Sequence, residues 1–196
     1  MHRDNQKRIW VTWEVQRRNR SMSKSLGAEL NEIIYQHNRI FRYIFSLCHT
    51  LKIFITKSPD VIFVQNPSIV LALFSIFYHK LTKVRLVIDA HNAGLFPTPN
   101  QFSLLNKIAA FIIKHTPITI VTNSALAEYV KSKGGVPAIM PDPLPEFNPT
   151  QITRNDSKFF QVLFICSWAE DEPYDEVINA AKKSPTANIC SAIVYL

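Results

Sequence analysis

The sequence predicts an α/β protein built on a doubly wound parallel sheet. Short apolar runs rich in Val and Ile alternate along the chain with longer stretches of helical periodicity. The runs show little polar alternation, which is typical of parallel strands that are covered on both faces. Repeated strand, helix, strand units with right-handed crossovers produce a sheet with helices on both sides.

The predicted elements follow one another from residue 8 onward. The run "RIWVTWEV" is the first strand, and residues 20–26 form a helix because Gly27 follows as a usual helix stop. The other strands of this region are predicted at "NEIIYQ", "DVIFVQ", "VRLVID" and "ITIVTN". The other helices are predicted over residues 39–55, 68–79, 101–114 and 124–131, the last of them ending before Gly134 and Gly135.

A proline-rich stretch interrupts this order. Residues 137–158 carry five prolines and are predicted as an interdomain linker. The strand "FQVLFICSW", a helix over 173–183 and "NICSAIVYL" then start a second α/β unit. The predicted domains are residues 1–145, a linker of residues 146–158, and an incomplete second domain of residues 159–196. Since so small a unit is marginal alone, we expect a truncated form of a longer protein.

Charge and composition narrow the function classes. The formal net charge is +7, and residues 1–60 hold 11 basic and 5 acidic residues, so an anionic partner would meet this third of the chain. No recognition helix or aromatic stacking module is visible, and we predict no nucleic-acid partner. The longest apolar run, "IVLALFSIFY", is about half of the roughly 20 residues that span a bilayer, and no secretion signal precedes it. We predict a cytoplasmic protein.

The three cysteines and the other metal-ligating residues form no pattern. Cys48, Cys166 and Cys190 are widely spaced, and each stands in an apolar context. The spacing predicts neither a disulfide framework nor a bound metal. No cofactor is predicted.

Polar side chains follow the predicted strands. In a doubly wound sheet, ligands bind beyond the carboxyl ends of the strands, which meet at one edge. The residues in such positions are Glu14, Arg17, Arg18 and Arg20; Gln65 and Asn66; Asp89, His91 and Asn92; Thr122 and Asn123; and Asp142. We expect them to converge on one edge of the sheet.

The segment "DAHN" allows two interpretations. Asp89 would orient or charge the imidazole of His91, which would act as a general base or contact a substrate hydroxyl. Alternatively, Asp89 caps backbone N–H groups at a strand end and His91 is a surface side chain. The neighbouring strand ends and Asn92 favour the catalytic interpretation.

The basic stretch "RRNRSMSK" also has two interpretations. No glycine precedes Gly27, so the glycine-rich dinucleotide fingerprint is missing and a dehydrogenase is disfavoured. The arginines could bind a phosphate together with a helix N-terminus. They could equally form a solvated basic helix face.

The helix "RIFRYIFSLCHTLKIFITK" combines apolar and basic residues. We predict a core-facing stripe for most of the residues at helical spacing, which are Phe41, Ile44, Phe45, Cys48 and Leu51. The residues Arg39, Arg42, His49 and Lys52 among them support a second hypothesis, in which this helix and the arginine cluster bring the protein to the inner, anionic face of a membrane.

The ordered motifs "FVQNPS", "LVIDAHN", "IVTNSALAEYV", "VPAIMPDPLPEF" and "FICSWAEDEPYDEVINAA" resemble GT-B glycosyltransferases. The resemblance is strongest to the family 4-like branch that includes the β-mannosyltransferase of lipid-linked chitobiose synthesis and related bacterial polysaccharide enzymes. It implies two Rossmann-like domains, the first for the acceptor and the second for the nucleotide sugar.

The resemblance also implies roles for individual residues. His91 and Asp89 would be catalytic, on the acceptor side. The other acceptor-binding residues would be Glu14, Arg17, Arg18, Gln65, Asn66 and Asn92. The first loop of the donor domain would contribute Ser167, Trp168 and Glu172.

The predicted function is transfer of a sugar from a nucleotide sugar to a glycan or polyprenyl-linked acceptor, without a bound metal. Family members usually stabilise the diphosphate leaving group with basic side chains and a helix N-terminus. Because most of the donor domain lies outside this sequence, we expect no turnover by the chain alone. The alternative is a noncatalytic acceptor-binding or membrane-binding subunit of a split glycosyltransferase.

Overall fold

The computed structural model describes residues 6–36, 38–66, 68–98, 103–142, 160–166, 172–183 and 187–193. The chain divides into two compact units, Met1–Leu144 and Pro145–Leu196. The linker that the sequence predicts at residues 146–158 lies outside the described residues.

The first unit is built on a parallel sheet, which confirms the predicted fold class. Among the described residues its strands are β1 (Arg8–Thr12), β2 (Glu29–Glu32), β3 (Val61–Asn66), β4 (Arg85–Ala90), β5 (Ile118–Val121) and β6 (Pro137–Ile139). Their order across the sheet is β2-β1-β3-β4-β5-β6. Each neighbouring pair is parallel, so all carboxyl ends meet at one edge.

Helices connect these strands. They are α1 (Arg17–Ser25), α2 (Arg39–Lys57), α3 (Ile69–Thr82), α4 (Asn92–Leu95), α5 (Leu104–His115) and α6 (Ser124–Ser132). Asparagine or serine side chains cap α2, α5 and α6, each accepting a hydrogen bond from a backbone N–H in the first turn. The short helix α4 was not predicted from the sequence.

The two faces of the sheet carry separate apolar cores, as a doubly wound sheet requires. On one face, Ile9 and Ile62 pack with residues of α2, α3 and α5, including the fully buried Phe54. On the other face, the Trp10 ring stacks on Phe63 with centroids 5.5 Å apart, and Met22 of α1 packs beside them. Alternate residues of β1 and β3 therefore point to opposite cores.

The proline-rich stretch begins as a strand rather than as a linker, which corrects the prediction for residues 137–139. Thr119 of β5 pairs with Pro137, and Ile120 pairs with Ala138. Proline lacks an N–H, but it is tolerated at the first residue of a strand at the edge of a sheet. The prolines therefore obscured a sixth strand.

The prediction of a core-facing stripe on α2 was wrong. The five residues concerned are exposed: Phe41, Ile44, Phe45, Cys48 and Leu51. The buried side chains are instead Ser46, Thr50, Ile53 and Phe54. Helical spacing identifies residues that share a face, but it does not say which face is turned inward. Here Ile53 and Phe54 pack in the core, and Thr50 Oγ1 accepts a hydrogen bond from Trp13 Nε1 at 3.0 Å on the same side.

The second unit contains a β-α-β arrangement in its described residues. Strand β7 (Phe160–Cys166) pairs in parallel with β8 (Ala187–Ile193), and helix α7 (Tyr174–Lys183) lies between them in sequence. Asp175 and Glu176 occupy the first turn of α7, and two lysines occupy the last turn. This distribution of charge stabilises the helix through its dipole.

Candidate functional site

The carboxyl edge of the sheet in the first unit gathers polar side chains from three neighbouring strands. Gln65 of β3 lies opposite Asp89 of β4 in the register, and Asn66 lies opposite Ala90. Thr12 ends β1, the other neighbour of β3.

A buried ion pair connects α1 to β4. Arg18 Nε donates to Asp89 Oδ2 at 2.9 Å, and Nη2 donates to Oδ1 at 2.8 Å. Arg18 is 8% exposed and Asp89 is 1% exposed. Nη2 also donates to the Met140 carbonyl at 3.1 Å, and Nη1 donates to Asp142, which follows β6. One guanidinium therefore joins three polypeptide segments at this edge.

The ion pair sets the charge state of Asp89. Burial by itself raises the pKa of Asp89, but hydrogen bonding from His91 and from Arg18 lowers it more, so the net pKa lies below the ordinary value. The pKa of Arg18 is raised, because the two carboxylates outweigh the effect of burial. Asp89 is thus an anion in the folded protein at neutral pH, and Arg18 is a cation.

His91 sits at the end of β4, beside this pair. Its Nε2 lies 3.5 Å from Asp89 Oδ2, and its side chain is 26% exposed. The backbone N–H donates to the Asn66 carbonyl at 3.0 Å, and the His91 carbonyl accepts from Gly94 at 2.8 Å as α4 begins. These backbone bonds fix the imidazole at the edge while one part of the ring remains accessible.

A second buried network joins α1 to β1 and β3. Asn19 Nδ2 donates to Gln65 Oε1 at 2.7 Å and to Thr12 Oγ1 at 3.1 Å. Asn19 Oδ1 accepts from Trp10 Nε1 at 3.2 Å, and the Thr12 hydroxyl also bonds to Gln65 Oε1. Asn19 and Thr12 are fully buried, so these bonds hold the Gln65 carboxamide in one orientation.

Two buried polar atoms at this edge have no hydrogen-bond partner among the described residues: Gln65 Nε2 and Asn66 Oδ1. Leaving a buried donor or acceptor unpaired costs about 1–3 kcal/mol, so such groups are uncommon in stable cores. Their position on consecutive residues at the end of β3 is a property expected of a ligand site.

Gly94 allows the backbone of α4 to approach β3 closely. A Cβ atom at this position would lie 2.7 Å from Asn66 Cγ and 2.8 Å from the Asn66 carbonyl oxygen. Asn66 Nδ2 also points toward the Gly94 carbonyl, at 3.4 Å. Glycine is therefore required to seat α4, and with it His91, against Asn66.

Replacing Gly94 with alanine should force Asn66 and α4 apart. We expect a loss of roughly 1–3 kcal/mol in the free energy of unfolding, which is typical of overpacking a buried site. Urea unfolding measures the loss, and NMR shifts of the His91 ring report the displacement. The matched control is Ala93→Ser, on the exposed side of the same helix. A Gly94→Ala protein as stable as the control, with an unmoved His91 signal, would contradict the close approach.

A small cleft lies between the end of β1 and helices α2 and α3. It has a volume of about 200 Å³, and its lining includes Trp13, Glu14, Arg42, Tyr43 and Ser68. Glu14 is exposed there, and its Oε2 accepts from Gln16 Nε2 at 3.0 Å.

The other residues named from the sequence have varied surroundings. Arg17 and Asn92 are exposed. Arg20 pairs with Glu32 on the surface, at 3.0 Å. Glu172 belongs to the second unit, and Ser167 and Trp168 lie outside the described residues.

Sequence reasoning missed three residues of this edge: Thr12, Asn19 and Gly94. Asn19 stands in the basic stretch "RRNRSMSK", where the arginines drew attention to charge. The sequence feature that could have identified Asn19 is its uncharged amide among arginines, one residue after Arg18 in the first turn of α1. Gly94 could have been noticed as one of only four glycines in the chain.

The fold has a counterpart among solved structures. The apo form of the lipopolysaccharide outer core galactosyltransferase WaaB matches with a TM-score of 0.54 and 10% sequence identity. The match covers 94% of this chain and 60% of that one, so the chain spans about three fifths of the length of that enzyme. No protein-family model matches the sequence, and no curated protein matches it.

The fold class is therefore the Rossmann-like α/β fold of GT-B glycosyltransferases. At this identity the likeness concerns the fold alone. The predicted roles of individual residues and the predicted branch of the family stay predictions.

Proposed function

We propose that this chain is the acceptor-binding part of a glycosyltransferase that acts in polysaccharide or glycoconjugate synthesis. The sugar would move from a nucleotide sugar to a glycan or polyprenyl-linked acceptor on the cytoplasmic side of a membrane. The main support is the pair of unpaired buried atoms of Gln65 and Asn66, next to His91, at the edge of the sheet where ligands of such folds bind. A fold shared with a galactosyltransferase agrees with this chemistry.

His91 is the proposed general base. The carboxylate of Asp89 faces Nε2 and favours a proton there, which leaves the lone pair of Nδ1 for the acceptor hydroxyl. As the hydroxyl oxygen bonds to the anomeric carbon of the donor, its proton passes to Nδ1, and the bond from that carbon to the diphosphate breaks. Asp89 stabilises the imidazolium that forms.

Gln65 and Asn66 are the proposed hydrogen-bonding partners of the acceptor. Gln65 Nε2 can only donate, and Asn66 Oδ1 can only accept, so together they suit the hydroxyl groups of a sugar. The network through Asn19 and Thr12 fixes which atom Gln65 presents. Preorganised amides of this kind bind without a further entropic cost of ordering.

Arg18 has a positioning role in this proposal. Its nitrogens are occupied by Asp89, Asp142 and the Met140 carbonyl, so the guanidinium holds the edge together. Among the exposed residues, Glu14, Arg17 and Asn92 are the proposed contacts to the remainder of the acceptor.

The donor is proposed to bind the second unit, through Ser167, Trp168 and Glu172 and through protein beyond this sequence. The chain alone would then bind acceptor without transferring sugar. Acceptor binding by this chain and sugar transfer by the full-length protein can therefore be measured separately.

The test is a transfer assay with the full-length protein that contains this chain. A panel of labelled sugar nucleotides is offered with a polyprenyl diphosphate-linked glycan, and the lipid-linked product is counted. We expect label in the lipid fraction with one donor of the panel, and acceptor binding by this chain alone in calorimetry. Absence of both transfer and acceptor binding over the whole panel would refute the proposal. Binding without transfer by the full-length protein would favour the noncatalytic subunit.

A further inference from the structure

Helix α2 turns an apolar side to solvent along its whole length. The large apolar side chains concerned range in exposure from Leu51 at 38% to Ile40 at 72%. We name the following residues the outward face of α2: Ile40, Phe41, Ile44, Phe45, Cys48, Leu51 and Ile55. Soluble proteins rarely expose so continuous an apolar patch unless it binds something.

The outward face is one continuous stripe. With about 100° of rotation per residue, its seven members fall within an arc of roughly 140°. The buried residues Ser46, Thr50, Ile53 and Phe54 occupy the other side. The helix is therefore amphipathic with its more apolar side outward, the reverse of a helix that only covers a core.

The charges around the outward face have a single sign. Helix α2 contains four basic residues and no acidic residue. Lys52 falls within the arc of the outward face, and Arg42 lies about 60° beyond it on the side of Phe45. Lys57 is engaged with Glu29, at 2.5 Å, whereas Arg42 and Lys52 have no acidic partner within 4 Å among the described residues. Cations at the border of an apolar stripe suit an anionic counterpart.

Aromatic rings line the same border. The Tyr35 ring lies 5.8 Å from the Phe45 ring, and the Phe41 and Phe45 rings are 6.3 Å apart. The Tyr35 hydroxyl bonds to His49 Nδ1 at 3.1 Å. Rings with an apolar body and a polar tip prefer the boundary between lipid tails and headgroups.

We propose that the outward face of α2 lies in the surface of an anionic lipid bilayer. Its apolar residues would enter the outer acyl region, and Arg42 and Lys52 would bind lipid phosphates. Among the described residues no helix is both long enough and apolar enough to cross a bilayer, so this contact is interfacial. The inference does not depend on sugar transfer.

Two copies of this chain would pair poorly through the same face. Such a dimer would bring Arg42 and Lys52 of each copy together with no carboxylate on α2 to offset them. Like charges in an apolar interface are unfavourable by several kcal/mol. An anionic bilayer supplies the missing charge and also accepts the apolar residues.

The arginine cluster of α1 does not share in this surface, which corrects the membrane hypothesis drawn from the sequence. Arg18 is buried against Asp89, and Arg20 is paired with Glu32. Their charges are neutralised within the protein. The proposed contact therefore rests on α2 and its own basic residues.

Vesicle cosedimentation of the full chain tests the proposal. We expect binding to equimolar phosphatidylglycerol and phosphatidylcholine, and much weaker binding to phosphatidylcholine alone. Replacing Ile44 and Ile55 together with serine should weaken partitioning roughly 30-fold, since two apolar side chains no longer enter the bilayer. Lys52→Glu should weaken binding to the anionic vesicles roughly tenfold or more.

Matched controls come from other helices. Phe77→Ser with Leu81→Ser removes two comparably exposed apolar side chains from α3, and Lys107→Glu reverses an exposed charge on α5. Both control proteins should bind like wild type, and circular dichroism verifies that every variant folds. The proposal is overturned if wild type ignores anionic vesicles, if the controls lose binding as much as the α2 variants, or if the outward face instead mediates self-association in lipid-free solution.

Discussion

Replacing Arg18 with methionine should lower the free energy of unfolding of the first unit by about 3–5 kcal/mol. Methionine keeps an unbranched apolar side chain but removes the cation, so Asp89 would be left as a buried carboxylate without its guanidinium partner. Both side chains are almost fully buried, which excludes water as a substitute. Urea unfolding, monitored by tryptophan fluorescence that includes the buried Trp10, measures the change in the free energy of unfolding.

Two further variants separate the ion pair from a general effect of charge. Arg20→Met removes the neighbouring surface pair with Glu32, which should cost far less stability than Arg18→Met because this pair is exposed to water. Arg18→Met combined with Asp89→Leu removes both buried charges and should recover most of the lost stability. If Arg18→Met lowers the free energy of unfolding no more than Arg20→Met does, the Arg18–Asp89 pair does not stabilise this edge of the sheet.

The pH dependence of the same variant is a second readout. The pKa of Asp89 is lowered in the folded protein, so the stabilisation by the pair is complete above the unfolded pKa of about 3.9 and is lost as the pH falls through the folded value. The stability difference between wild type and Arg18→Met should therefore be full at pH 7 and shrink below about pH 4. If the stability difference between the two proteins stays constant below about pH 4, the loss of stability in Arg18→Met comes from packing and not from the missing charge.

The location of the site at the carboxyl edge of the sheet could be predicted from the sequence, because a parallel fold determines which strand ends lie there. Once "FVQN" and "LVIDAHN" are recognised as buried parallel strands, their carboxyl ends must lie side by side, which places Gln65 next to Asp89. The side chains that pair with these residues could not be predicted from the sequence. Arg18 and Asp89 are 71 positions apart, and no local pattern tells which of several arginines will enter the core.

The orientation of α2 and the position of Gly94 depend on tertiary packing, which the local sequence does not specify. The stripe of Phe and Ile on α2 satisfied the spacing of a core helix, yet the buried side is the one on which Ile53 and Phe54 pack in the core and Thr50 accepts from Trp13. Likewise, nothing in the local sequence says that Gly94 lies against Asn66. Periodicity describes one element, whereas these contacts depend on the shape of its neighbours. The misassigned face is the one that now suggests a membrane contact.

Replacing His91 with alanine should reduce sugar transfer by the full-length protein about 100-fold or more. Without the imidazole, the acceptor hydroxyl would have no base within reach as it attacks the anomeric carbon. The loss should appear in kcat, because the base acts on the transition state more than on the bound acceptor. Initial rates at varied acceptor concentration measure this division.

The matched control for this variant is His115→Ala. His115 ends α5 just before β5 begins, which places it at the amino edge of the sheet, away from the carboxyl edge that carries His91. We expect near-normal kcat for His115→Ala. Asn92→Ala should instead raise the acceptor KM with little change in kcat, since a residue that only binds acceptor stabilises ground and transition states alike. If His91→Ala turns over normally while still folded, His91 serves only to join β4 to α4, and the base must be sought among other side chains of the edge.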